Sequence, residues 1–319
     1  GNNTWNGNIS TDAGGNIYNI ESQADKLTIA GGISVNQSGA RILNLTGAGD
    51  GEVTGVISGS GSNTAALTKL GNGTWTLANT NTYTGATTIN SGTLALTGTG
   101  SIANSSEIKV NSTLDVTGLT AGTFTVGASQ TLSGDGTVNA TGKTLSLGGT
   151  LLPGQGGTSD RSLTINGNVS TVTGSTISFS VTSTSSYDQL VIGTGSSIGL
   201  SNAEVDVSFD NSISFTNLGA GKGSDFLAAT ISNDFSSINA TWFRIIEGNT
   251  TGMFANVTDT LTAGELSFLG LSGNHFAYNA DNGQRFWVAE GSTYLVSIPE
   301  PRAALLGALG ALMLLRRRK

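Results

Sequence analysis

What most constrains this sequence is a set of short strand patterns separated by glycine corners, at its clearest over residues 67–96. Trp75 and Leu77 alternate with Thr74 and Thr76, which is the period of a strand. Asn72-Gly73 just before them is a turn signal, because both residues tolerate positive φ. Tyr83-Thr84-Gly85 ends the next short segment. Ile89 leads into another corner, Asn90-Ser91-Gly92, and Leu94 and Leu96 resume the alternation. A short strand, a sharp corner and another short strand bury too little apolar surface to stand alone. Such a coil becomes stable by stacking on neighbours, as in a β-solenoid.

The pattern extends in both directions. Leu27 and Ile29 alternate, as do Leu43 and Leu45, and Gly47-Ala48-Gly49-Asp50-Gly51 forms a corner before Val53. Trp5 is placed to help cover the end of the stack, since an open end is an aggregation-prone edge. Further on come the pairs Ile108 and Val110, Leu114 and Val116, Phe124 and Val126, and Leu145 and Leu147. Gly118, Gly127, Gly134-Asp135-Gly136, Gly148-Gly149 and Pro153 read as corners between them. Leu163 and Ile165, then Ile177, Phe179 and Val181, read as further strands. Val205, Val207 and Phe209 alternate strictly with Glu204, Asp206, Ser208 and Asp210. Over 217–237 the pattern blurs, with Ala228-Ala229 compatible with a short helical turn. Strand signals return around Phe243, Phe268, Trp287 and Leu295. Residues 204–297 read either as more of the same solenoid or as a separate β-layer.

Composition narrows the class. Among 319 residues there are 47 glycines but only 3 prolines, and charged residues are 11%. That is far below the quarter or so usual in globular domains. A disordered chain would carry more charge and proline and fewer β-branched residues, so ordered β structure is expected. There is no cysteine, which removes disulfides and thiolate metal sites. The formal charge is −7, and without Arg316, Arg317, Arg318 and Lys319 ten basic residues face 21 acidic ones. A body of that sign repels nucleic acid. Gly1 in place of Met suits a chain that begins after a removed export signal, and equally one trimmed there for another reason.

Leu67-Thr68-Lys69, Gly71-Asn72-Gly73-Thr74, Leu77, Asn81-Thr82-Tyr83-Thr84-Gly85, Thr87-Thr88 and Gly92-Thr93-Leu94 resemble the autotransporter-associated β-strand repeat. The resemblance covers about one repeat. It implies a secreted surface protein built as a right-handed parallel β-helix. It carries over no activity, because that family shares no catalytic residues.

The tail is a separate signal. Ile298-Pro299-Glu300-Pro301 precedes an apolar stretch at 303–315, and Arg316-Arg317-Arg318-Lys319 follows. Counted from Ile298 the apolar segment is roughly 18 residues, near the lower limit for a membrane span. The basic cluster would stay cytoplasmic. The order Pro-Glu-Pro, apolar helix, basic cluster resembles the PEP-CTERM sorting signal of Gram-negative bacteria. That resemblance implies a transient inner-membrane anchor and an exosortase that cleaves near Pro299, Glu300 and Pro301. The plainer alternative is a C-terminal membrane helix.

Candidate chemistry is sparse. His275 is the single histidine; a surface or loop position is its default reading, against a general base. Metal sites built from several histidines are excluded. Glu204, Asp206 and Asp210 share a strand face. Clustered carboxylates serve acid–base work or calcium in polysaccharide-active β-helices, but a solvated strand face explains the spacing here. Gly49-Asp50-Gly51 and Gly134-Asp135-Gly136 are similar to calcium-binding nonapeptide turns yet lack tandem copies, and read as corners. Asn104-Ser105-Ser106 and Asn111-Ser112-Thr113 are sequons that a chain rich in these residues produces by chance. Trp75, Tyr83, Trp242 and Trp287 are candidates for stacking on sugars, although core or capping roles suit most of them better.

The sequence therefore predicts an all-β right-handed parallel β-helix over 1–297 and a short C-terminal membrane helix within a sorting segment at 298–319. The expected role is structural or adhesive, at the cell surface or in an extracellular matrix. An exosortase-type enzyme and exopolysaccharide or other envelope components are the expected partners, with no catalytic residues, metal or cofactor. The alternative is a polysaccharide-degrading or polysaccharide-binding enzyme on the same scaffold.

Overall fold

The computed structural model of this chain describes residues 1–11, 15–36, 39–59, 65–155, 162–183, 186–200, 202–209, 242–247, 249–251, 259–260, 275–278, 285–289 and 292–296. The chain divides into two compact units, Gly1–Phe209 with Ile245–Asn256, and Asp210–Arg244 with Val257–Lys319.

The first unit is a parallel β-solenoid. On one face Asn3–Trp5, Lys26–Ile29, Asp50–Val53, Thr74–Leu77, Thr93–Gly98, Thr113–Leu119, Thr137–Leu147, Ser162–Thr171 and Gln189–Ile192 stack in turn order. A second face stacks Ile17–Glu21, Arg41–Thr46, Ala65–Lys69, Thr87–Ile89, Glu107–Val110, Thr131–Gly134, Thr150–Pro153, Ser175–Ser183 and Ala203–Phe209 in the same way. A short third face joins Ile9–Ser10, Ile33–Val35 and Ile57–Gly59. Every pairing among these strands is parallel, so each chain segment lies on its counterpart one turn away. In the other unit, Asp259–Thr260, His275–Tyr278, Arg285–Ala289 and Ser292–Val296 pair antiparallel in sequence order.

The alternation that predicts the strands also builds the core. Side chains one turn apart form columns down the inside: Leu94, Leu114, Val138 and Ile165 on one face, and Ile108, Leu132, Leu151 and Ile177 on the other. All eight are fully buried. Each contributes about 1.5–3 kcal/mol against exposure, and the column form means that no turn secures this alone.

The turns are not equal in length. Leu27, Gly51 and Trp75 follow one another at 24-residue steps. Thr74 to Thr93 is a step of 19, Thr93 to Thr113 one of 20, and Thr113 to Thr137 returns to 24. The contraction falls within the stretch that the sequence marks most strongly.

Several corner assignments are corrected by the structure. Asp50 and Gly51 belong to the strand Asp50–Val53, leaving 47–49 as the corner. Gly51 sits inside a strand because the indole of Trp75 takes the space a side chain would need. Gly118 lies in the strand Thr113–Leu119, where a register shift absorbs it. Pro153 is the buried last residue of Thr150–Pro153, and its missing N–H falls where the ladder ends. Trp5 lies on the outermost described turn, 55% exposed and in register with the buried Ile29 of the next turn. Among the described residues there is no helix, and none that is long and apolar enough to cross a membrane. The apolar tail, Pro299, Glu300, Pro301 and the terminal basic run lie outside the described residues.

Candidate functional site

The segment 67–96 spans the contraction and carries an unusual density of buried polar and aromatic groups. Trp75 is fully buried and packs over Gly51 of the preceding turn. A Cβ on Gly51 would lie 2.3–2.4 Å from three indole atoms. The Trp75 indole N–H donates to the carbonyl of Thr46 at 3.1 Å, which ties this strand to the opposite face. Its aromatic surface is spent inside the solenoid and offers nothing to a sugar.

Tyr83 is buried as well, in the loop that replaces the third face in this turn. Its hydroxyl lies 2.7 Å from Thr87 Oγ1, which lies 2.8 Å from Ser105 Oγ. Ser105 donates to the carbonyl of Gly85 at 2.7 Å. Thr87 occupies an inward column between the aliphatic side chains of Leu67 and Ile108. The phenol is therefore a filled core group, and burial pushes its ionisation well above the ordinary range, more than the Thr87 hydrogen bond lowers it.

Asn81 works beside it. Its Oδ1 accepts from Ile57 N at 2.8 Å, and its Nδ2 donates to the carbonyls of Asn79 and Ser101. It thus bonds to the turn below and the turn above at once. Gln130 does similar work two turns on, donating to the carbonyls of Ile102 and Ser105 and accepting from Gly127 N.

Lys69 is the least expected member. It is fully buried in the inward column Leu45, Lys69, Ile89, Val110. Its Nζ donates to the carbonyls of Leu70 at 2.9 Å, Gly71 at 2.8 Å and Ser91 at 3.0 Å. Burial lowers its pKa to about 8, partly offset by the Asp50 carboxylate. The sequence signal for this position is its parity: Lys69 shares a strand face with Ala65 and Leu67.

On the outside, two clefts lie along one corner. The first, about 390 Å³, is lined by Thr99, Ser101, Thr120, Thr123, Thr125 and Phe124 among others. The second, about 620 Å³, is lined by Thr141, Thr144, Asn166, Asn168, Thr194 and Ser196, with glycines. Neither lining includes a carboxylate. Lys143 borders the second, and its ammonium donates to the carbonyl of Leu119.

Of the three carboxylate candidates, only Glu204 has a described side chain. Glu204 is exposed, and the strand Ala203–Phe209 pairs with Ser175–Ser183, which carries no acid. The side chains of Asp206, His275, Trp242 and Trp287, and all of Asp210, lie outside the described residues. Asp50 accepts from Thr74 N at 2.8 Å one turn away. No group of three or more metal-ligating side chains occurs among the described residues. Asn104 is exposed and donates to the carbonyl of Asn81, whereas the Asn111 amide donates to Asn90 of the preceding turn.

Residues 67–96 match the model of one family, described as the passenger-associated-transport-repeat. No curated protein and no solved structure matches the chain. The chain carries an autotransporter-associated repeat within a parallel β-solenoid, which fits a surface protein of the autotransporter type.

Proposed function

We propose that this chain is an exported, non-enzymatic β-solenoid with a structural or adhesive role at the cell surface or in an extracellular matrix. The observation that carries this reading is the passenger-associated-transport-repeat seated at the contraction of a parallel solenoid. Its buried residues are engaged in holding turns together, and its polar groups in satisfying backbone. On this reading the C-terminal segment holds the protein in the inner membrane until an exosortase-type enzyme cleaves near Pro299, Glu300 and Pro301. Two measurements test it. Deleting 298–319 is expected to move the protein from the membrane fraction to the periplasm or medium, and unchanged fractionation would refute the anchor. The mass of the mature C-terminus in cells is expected to end near Pro301, and an intact Lys319 would refute cleavage.

A second reading, polysaccharide binding, draws support from the clefts. Hydroxyl and amide linings without carboxylates suit a glycan better than a cation. If the body binds or degrades glycan, the purified chain should retain polysaccharide in a pull-down. Turnover that disappears in Glu204→Gln or Asp206→Asn would make it an enzyme.

A further inference from the structure

We propose that the carbonyl oxygens of Leu70, Gly71 and Ser91 form a three-point acceptor cage for a primary amine, occupied in this protein by its own Lys69. The cage arises from the contraction of the coil. One turn earlier the corner closes through its own backbone: Gly49 N donates to Ser22 O at 2.8 Å and Gly73 N donates to Gly47 O at 3.2 Å. The strand ending at Lys69 is joined to Thr74 by Leu70, Gly71, Asn72 and Gly73. In the next turn the strand ending at Ile89 is joined to Thr93 by Asn90, Ser91 and Gly92 alone. One corner residue has been lost. The amide of Thr93 reaches Gly73 O only at 3.5 Å, and no amide is left for Gly71 O.

Lys69 supplies the missing donors. Its stem replaces an aliphatic side chain in the column, between Leu45 and Ile89. Its three N–H bonds match three oxygens at 2.8–3.0 Å. Among the described residues these oxygens accept from no other donor. Gly92 packs against the cage from above, where a Cβ would come within 2.8 Å of Nζ and 2.5 Å of Gly71 O. Asp50, the charged group facing the amine, is committed to Thr74 N and exposed, so the site is organised by donor count more than by charge. The ligand class this commits to is ammonium or a small alkylammonium, with N–H donors in a tripod; potassium, which carbonyl oxygens also coordinate, is the competitor the test must separate.

The test is rescue in trans. In Lys69→Ala of the full chain the thermal midpoint at pH 7 should fall by roughly 10 °C. Methylammonium chloride should restore much of that loss saturably, while potassium chloride and tetramethylammonium chloride at equal ionic strength should not. A Lys69→Ala midpoint equal to that of the unaltered chain would overturn the proposal. So would rescue by potassium or tetramethylammonium as strong as by methylammonium, or no rescue at all. If Lys69→Ala does not fold, nuclear magnetic resonance on the isotope-labelled unaltered chain decides. A slowly exchanging Lys69 amine coupled to the carbonyl carbons of Leu70, Gly71 and Ser91 is expected, and a rapidly exchanging one without those couplings refutes the cage.

Discussion

At the scale of single residues, this solenoid is held by side chains that take the place of something the backbone lacks. Trp75 fills the void over Gly51, so the two positions should behave as one unit. Gly51→Ala forces the indole to move and should cost about 1–3 kcal/mol. Trp75→Leu should cost several kcal/mol through the cavity and the lost bond to Thr46 O. The double variant should be much less damaging than the sum, because each change makes room for the other. Additive losses in urea unfolding would mean that the contact does not matter. Tyr83→Phe should cost about 1 kcal/mol, since Thr87 loses one partner but keeps Ser105. Lys69 gives a pH signature. Its folded pKa of about 8 lies below the ordinary 10.5, so between those values the unfolded chain holds the extra proton. Stability therefore rises with pH across that window, fully gained above 10.5 and absent below 8, because relief of the buried charge outweighs the loss of one of the three N–H bonds. The difference in urea midpoint between the unaltered chain and Lys69→Met, followed from pH 7.5 to 10.5, should widen with pH.

At the scale of elements, the corners decide how closely turns can approach. Gly71 has φ +71° and Gly142 φ +74°, so alanine is strained at both. They differ in surroundings: a Cβ on Gly71 would lie 2.4 Å from Gly47 O, whereas one on Gly142 meets nothing within 4 Å. Gly142→Ala should cost about 1–2 kcal/mol from backbone strain alone, and Gly71→Ala clearly more. Equal midpoints for the two variants in thermal unfolding would show that stacking distance is irrelevant. These contacts explain what was legible in the sequence. Strands such as Thr74–Leu77 and Glu107–Val110 follow from period-2 alternation, because one face is buried and the other is not. Gly51 was legible as glycine but not as strand, since its reason is an indole 24 residues away. The long strand Thr137–Leu147 was legible only as its second half, because Val138 and Ala140 give a weak signal and the Gly142 bend looks like a corner. Lys69, Thr87 and Asn81 are not legible as core because polar side chains ordinarily face solvent, while here they are buried and bonded inside the coil. Trp75 and Tyr83 were readable as core but not as the filling of one contracted turn.

At the scale of the whole solenoid unit, stability is a sum over neighbouring turns, and register is its main condition. From the second turn to the third all three faces advance by 24 residues, Leu27 to Gly51, Ile33 to Ile57 and Arg41 to Ala65, whereas from the first to the second the step from Ile17 to Ile42 is 25. Removing 26–49 takes out one complete turn. Asn3–Trp5 then lies over Asp50–Val53, Ile9–Ser10 over Ile57–Gly59 and Ile17–Glu21 over Ala65–Lys69, with each inward column intact. Such a deletion should fold, with parallel β circular dichroism and a unfolding free energy reduced by about one turn's share. Removing 26–48 instead leaves Gly49 as one extra residue in the corner before Asp50, an irregularity the coil already absorbs where Ile17 steps to Ile42 by 25. That variant should also fold, with a midpoint no higher than that of the 26–49 deletion. The same test on the contracted turn should fail in either form, because Lys69 meets its cage only where a longer corner lies beneath a shorter one. Tolerance of a 19-residue deletion there, without loss of midpoint, would separate the contraction from the stability of the coil.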